Sequence, residues 1–568
     1  MTLTSLLGSL RQVAAAILAS LASILALPLA AEAVVVDCNA GQTIRQALTL
    51  SGGGAGGGGT RQHVITVRGV CNENVVITRD DVLINTNGIN PATIVAVDAS
   101  QPAVQIDGGR RIVIDGVMAN GITLSGGTFG LAVTRGGSAS LFNSEVLGAT
   151  NSGVISSYGS VLDVERCVLR DNNRGGAAAN NAVLIVSDST VRNNATDGLL
   201  AIRSSYLRVG QDRAGSVVAR PVAVTDHPSS GIAVLDSSAA NIVATTIRNS
   251  GVDGVLFSRG SSGTLGTGSN GLVSANIVEN NALAGTGSGV TVFQGSSLVI
   301  RGNTINGNGR GVFVGLASAA TIFSNSVQNN TGRGVQVNER ASARIGLVEG
   351  ATSAPGNVIS GNGGDGIGVF DGGEGVVAGN TISANGGHGI AMNMASMNLV
   401  GGNTISGNAF HGISVAQSRL FQAPGSFGTL PNTADVSQSN GQAGLFVFNN
   451  SSAELRRITL TNNTRQGIGA SLNSTINLGV YNAARPDDLI SITDNGTGNV
   501  PNNNDGITLF SASMLTSPQN PGGPGKVIIT GHPGWGVNCF GVDTKAAVGF
   551  DQTGIADNAL GTVDCGGF

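Results

Sequence analysis

Charge is scarce in this 568-residue chain: 11% of residues are Asp, Glu, Lys or Arg, less than half of what a soluble domain usually carries. Thirty basic residues face 34 acidic ones with no cationic block, so there is no run of sites for phosphate contacts, and nucleic acid is excluded as a partner. Aromatics are equally thin, at 4% with one Trp and three Tyr, which leaves little for a stacking platform of the kind sugars prefer. Cysteine is limited to five positions without close Cys-Cys or Cys-His spacing, which argues against a zinc site. Past the N-terminus no apolar run is long enough to span a bilayer.

What is abundant is glycine, 88 residues, beside a hydrophobic content of 41% that is mostly Val, Ile, Leu and Ala. That apolar content supports a continuous core and excludes global disorder. The profile is that of a repetitive all-β chain with a thin aliphatic interior. The opening "MTLTSLLGSLRQVAAAILASLASILALPLAAEAVVV" has one Arg, an apolar stretch and the small-residue pattern Ala31-Glu32-Ala33. It reads as a secretory signal peptide over residues 1–33, placing the mature chain outside the cytoplasm and without a membrane span. An exported compartment favours disulfides, one at each end: Cys38 with Cys71 and Cys539 with Cys565.

Internal repeats organise the rest. "GNTINGNGRGVFV", "GNVISGNGGDGIGV", "GNTISANGGHGIAM" and "GNTISGNAFHGISV" share N-x-[IV]-x-x-N followed by G-[IV]-x-V. The second glycine recurs at 231, 254, 289, 311, 334, 366, 389, 412, 444 and 467, a basic period of 22 to 23 residues with insertions of about ten. So short a period with alternating strands and no helical spacing means one turn of a β-solenoid, with the insertions as loops on one side. The first and third positions of [IV]-x-V point inward; the Asn columns form ladders; and the repeat glycine is expected to supply a positive φ at a sharp bend. Cys167 falls in the first Asn slot, so it reads as a small buried thiol, not a reactive one. Residues 41–48, "GQTIRQAL", form a short cap helix, and "SGGGAGGGG" a mobile loop. The boundaries that follow are a cap and Gly-rich loop at 34–60, solenoid over 61–538 and a C-terminal cap over 539–568. Roughly 20 turns make a rod about 100 Å long.

The "GNTISANGGHGIAM" repeats, with "TIRQAL" followed by "VRGVCNENVVIT", resemble the right-handed parallel β-helix proteins of the pectin-lyase-like superfamily. The resemblance covers nearly the whole mature chain and implies an all-β, single right-handed parallel β-helix. That superfamily includes polysaccharide lyases, polygalacturonases, epimerases, tailspikes and members without assigned chemistry, and fold alone does not choose among them. Paired aspartates beside a Gly-His-Gly, which a polygalacturonase would need, are absent near His388, since Asp80-Asp81 and Asp487-Asp488 lie many turns away. The Asp-Pro-His-Asp order of epimerases is missing, "DHPSS" at 226–230 being a poor match, and no turn supplies a calcium cluster.

A polar column remains. The residue before the repeat glycine is Arg310, Arg333, Asp365, His388 and His411 in successive repeats, with Glu339 and Asp371 a few residues after it. Asp365, His388 and His411 are the candidate catalytic residues for acid/base work on a sugar, Arg310, Arg333, Glu339 and Asp371 the candidate substrate contacts, and a divalent cation such as calcium a possible cofactor. The bland alternative is a solvated edge, because the same slot holds Ser230, Ser288, Ala443 and Gln466 elsewhere. Phe293, Phe370 and Phe448 share a slot four residues after the glycine and are read as packing at strand ends. The expected function is contact with extracellular or cell-surface polysaccharide; the rivals are a lyase, hydrolase or uronate epimerase, and a structural or adhesive surface rod.

Overall fold

Each repeat bends three times. In the coil that begins at Ser396, a strand over Ser396–Gly401 is followed by a bend, a three-residue strand over Thr404–Ser406, a second bend and a strand over Ile413–Ala416. The third bend returns the chain to Arg419–Gln422, directly above its starting strand. Register between coils is strict and parallel: Ser396 faces Arg419, Thr404 faces Val436, and Ile413 faces Leu445. Three parallel sheets result, named first, second and third in chain order. Among the described residues the third has 19 strands, and the first and second share the long strand His63–Asn72. At about 4.8 Å per coil the rod is about 90 Å long. This computed structural model describes residues 34–50, 62–283, 287–346, 356–422, 433–479, 489–498, 503–516, 527–540, 544–546 and 554–565. The signal peptide expected over 1–33 and the Gly-rich loop expected after the cap helix lie outside them. No helix of the described residues is long and apolar enough to cross a membrane.

The interior is aliphatic, as the composition requires. Ile390, Ile413, Leu445 and Ile468 stack in one column from the third sheet, while Ile382 and Ile405 come from the second and Leu399 and Leu420 from the first. Phe257 is the aromatic member of this core cluster. At the N-terminal end Ile44–Thr49 forms the expected cap helix, burying Ile44 and Ala47, with Glu73 accepting the N–H groups of Ile44 and Arg45 at 2.6 and 3.1 Å. The disulfides are Cys38–Cys71 and Cys539–Cys565. Coiling runs past the expected 61–538 at both ends. Val34–Asp37 already pairs with Ile65–Arg68, and Gly561–Asp564 pairs with Trp535–Asn538, because each disulfide ties a terminal segment into a coil and does not merely cover one.

The bends are held by side chains. A backbone N–H at a corner has no strand partner, and in the two Asn columns the Oδ1 of one Asn accepts the N–H of its counterpart in the preceding coil. Thus Asn362 N–H donates to Asn385 at 3.1 Å, while Asn385 Nδ2 donates to Ile359 O at 3.2 Å. The ladder between the first and second sheets runs through Asn276, Asn303, Asn325, Asn357, Asn380 and Asn403 to Asp435. Insertions do not break it: Asn325 and Asn357 are 32 residues apart and their side chains still meet at 3.0 Å. Inserted residues leave at the corner between these two sheets, for example between Val209 and Val222 and between Leu265 and Ile277, and not on that side alone, since the corner between the second and third sheets is lengthened between Glu279 and Ser288 and between Thr493 and Ile507. Cys167 occupies this ladder as expected, buried, with its N–H on Ser189 Oγ, and desolvation pushes its thiol up to about 12. The third corner carries a serine ladder that the repeat pattern did not announce, through Ser418, Ser451 and Ser474.

The repeat glycine owes its identity to proximity and not, as expected from the bend, to a positive φ. A Cβ on Gly389 would lie 2.3 Å from Ile405 Cγ2 and 2.7 Å from Gly412 O, while its backbone stays outside the left-handed region. Left-handed residues stand elsewhere, just before the ladder positions, as at Asn329, Ala384 and Asn462. Gly389→Ala should therefore lower the melting temperature, whereas Gly136→Ala, where the φ is +72° but no atom lies within 4 Å, should cost about 1 kcal/mol or less. Equal melting of the two would refute the packing account. Asn362→Leu should strand the Asn330 N–H and cost about 2 kcal/mol, speeding local hydrogen exchange around Asn330 by roughly thirtyfold without effect near Val133.

Candidate functional site

The third sheet sets the column. Because Val335, Ile367, Ile390 and Ile413 are in register, the residues two positions before them, Arg333, Asp365, His388 and His411, follow one another up the outer edge of the sheet, with Arg310 one coil below. The insertion before Asp365 does not displace it: Arg333 Nε meets Asp365 Oδ2 at 2.8 Å. Glu339 and Asp371 are not part of the stripe. They sit at left-handed positions of the third corner, beyond the strands that begin at Val335 and Ile367, about 20 Å from the column.

Asp365, His388 and His411 each turn one acceptor onto the backbone of the next coil. Asp365 Oδ1 accepts the N–H of His388 at 2.9 Å, His388 Nδ1 that of His411 at 3.2 Å, and His411 Nδ1 that of Ala443 at 3.1 Å. Asp253 and Asp505 do the same for Ser288 and Trp535, each at 2.8 Å. The column is thus a fourth ladder, built from acids and imidazoles. Its sequence signal was an Asp in the same slot at 197, 253, 365 and 505, which is visible only once the slot is followed beyond the five clearest repeats.

Rings continue the stack. His388 and His411 lie parallel at 5.3 Å, and His411 stacks on Phe446 at 4.7 Å, with Phe448 tilted against it at 5.3 Å. Arg333 covers Phe370 and Arg310 covers Phe313, each at 4.5 Å, and Phe293 tilts against Phe313 at 6.0 Å. Phe293, Phe370 and Phe448 therefore pack against neighbours, as read from the sequence. Phe446 and Phe313 were missed, being single aromatics in a slot that other coils fill with Gln336, Gly368, Ala391 or Ser414.

A model of the right handed beta helix region matches residues 55–214, 209–347 and 311–484, which together span more than half of the chain. The chain belongs to the right-handed β-helix family. No curated protein is similar enough to this β-helix to serve as a relative. Similar solved structures include the A-module of a mannuronan C-5 epimerase from Azotobacter vinelandii, 12% identical, with a TM-score of 0.24 over 86% of this chain and 91% of that one. A pectate lyase is 11% identical, with a TM-score of 0.26 over 54% of this chain and 76% of that one. A tailspike protein of Bacteriophage CBA120 is 11% identical, with a TM-score of 0.16 over 90% and 57%. None of the three is similar enough to argue from.

The chemistry of this β-helix rests on its own column. A neutral imidazole has one donor and one acceptor nitrogen, so an Nδ1 that accepts a backbone N–H fixes the proton on Nε2. Neither His388 nor His411 keeps a lone pair for proton abstraction. Burial, then the neighbouring His388 and Arg465, brings His411 down to about 3, and burial likewise lowers His388 against the pull of Asp365. Asp365 is spent on Arg333 and the His388 N–H. The next acid in the column, Asp253, is four coils away, about 19 Å, where glycosidase pairs stand within about 10 Å. For a divalent cation the column offers no pair of open ligands. Among the described residues the group closest to a ligand cluster is Cys38, Cys71 and Glu73, whose sulfurs are joined. What the column can present is N–H groups, from the half-exposed Arg333 guanidinium and the two imidazoles.

Long-range nitrogen-proton spectra should show both imidazoles as the Nε2–H form at pH 7 and His411 still neutral at pH 4.5. A Nδ1–H form, or an imidazolium signal for His411 at that pH, would overturn the ladder assignment.

Proposed function

We propose that this β-helix is an exported solenoid that contacts extracellular or cell-surface polysaccharide along the outer edge of its third sheet, without turning it over. The carrying observation is the one-sidedness of the column: the acceptors of Asp365, His388 and His411 are engaged by the next coil's backbone and by Arg333, so that what this edge turns to a ligand is donors, the half-exposed Arg333 guanidinium and the imidazole Nε2–H groups. Donors without a base suit a hydroxyl- and carboxylate-rich chain as a binding partner and provide no route to elimination or hydrolysis. Spacing supports the reading, since successive donors rise by one or two coils of about 4.8 Å and can follow an extended polymer. Export is supported by two disulfides, which persist in oxidising compartments.

Residues 34–568 should be incubated with a panel of uronate and neutral polysaccharides, following retention, unsaturated-product absorbance and reducing ends. Retention without products is expected, weakened roughly tenfold or more by Arg310→Gln with Arg333→Gln. Turnover abolished by His388→Ala or His411→Ala would replace this reading with the enzymatic one. Neither retention nor turnover would leave the structural rod.

A further inference from the structure

The second Asn ladder also contains residues that are not Asn, Ala149 and Ser250 among them, and two of these are histidines. Rising through Asn172 and Asn194 it reaches His227, and beyond Asn463 and Asn495 it reaches His532. Each imidazole reproduces two of the three bonds that a ladder amide makes, leaving out the donation to the next side chain. Nδ1 of His227 accepts the Asn194 N–H at 3.3 Å while its Nε2 meets Val191 O at 3.3 Å, and His532 does the same with Asn495 N–H at 3.1 Å and Ile492 O at 3.0 Å. Both rings are buried, at 1% and 2% exposure. For the two bonds that remain, the decisive difference is that an amide keeps its acceptor at every pH, whereas an imidazolium has two donors and none.

We propose that His227 and His532 are acid-sensitive joints, locking adjacent coils when neutral and releasing them when protonated. The charged groups facing His227 are Asp226 beside it and Asp197 at the preceding third-sheet turn, and those facing His532 are Asp494 and Asp505. All four favour the cation, and burial outweighs them, so both histidines titrate below their ordinary value. With the folded pKa depressed, the unfolded chain takes up the proton first. The stabilisation is complete above about pH 6.5 and is lost as pH falls below it. Buried carboxylates act in the opposite sense: desolvation raises Asp163, Asp253 and Asp505 and brings Asp435 to about 6, so protonating them in the same range favours the folded state. The net pH dependence of the whole chain therefore does not isolate the histidines, and a local reading is needed.

The device is independent of glycan contact, which uses other residues. Hydrogen exchange of residues 34–568, corrected for intrinsic rates, should be compared at pH 7.5 and 5.0 in the wild type, in His227→Asn with His532→Asn, and in Asn308→His. At pH 5.0 the wild type should open roughly tenfold or more faster at Val191–Asn194 and Ile492–Asn495, with no change around Asn362. The double variant should lose both local increases and Asn308→His should gain one around Val278. Increases that persist in the double variant, or are missing in the wild type, would overturn the proposal. Should the double variant fail to fold, the gain or its absence in Asn308→His decides.

Discussion

The structure depends on one kind of hydrogen bond, the donation of a corner backbone N–H to a side chain one coil away. A solenoid coil with three bends interrupts its sheet ladders three times, and each interruption would bury an amide without a partner. The chain meets this with four columns: Asn between the first and second sheets, Asn again between the second and third, Ser at the third corner, and a mixed acid and imidazole column at the start of the third-sheet strands. With those amides satisfied, a core of Ile, Val and Leu is enough, and few charges or aromatics are needed.

The same bond explains why the polar column is a poor catalytic centre. Acid/base chemistry needs a lone pair or a proton free to move, and here Asp365, His388 and His411 hold theirs against the next coil's backbone. Stacking along the rod axis packs the rings face to face, which stiffens the edge and takes the ring faces away from a sugar.

Much of the architecture was legible because its cause is periodic. The Asn columns, the inward [IV]-x-V positions and the Cys167 slot follow from counting, and they stand where counting placed them. The reason for the repeat glycine did not follow, since Gly389 is fixed by atoms of the next coil, Ile405 and Gly412, which a local view of the chain does not contain. The Ser ladder was hidden by the ordinariness of serine in loops. Glu339 and Asp371 were grouped with the stripe because five or six residues is a short distance in sequence, while along an extended strand it is the full width of a sheet. In the candidate site the composition of the column was readable, but the direction in which each acceptor points required the coil above it.

The corner between the first and second sheets tolerates length without losing its ladder. Asn325 to Asn357 and Asn357 to Asn380 differ by nine residues of intervening chain, yet the amides meet at 3.0 and 2.9 Å. Contour length and axial rise are therefore uncoupled at that edge. Foreign segments could be spliced there, coil after coil, with the rest of the rod serving as a ruler that spaces them at fixed multiples of its pitch.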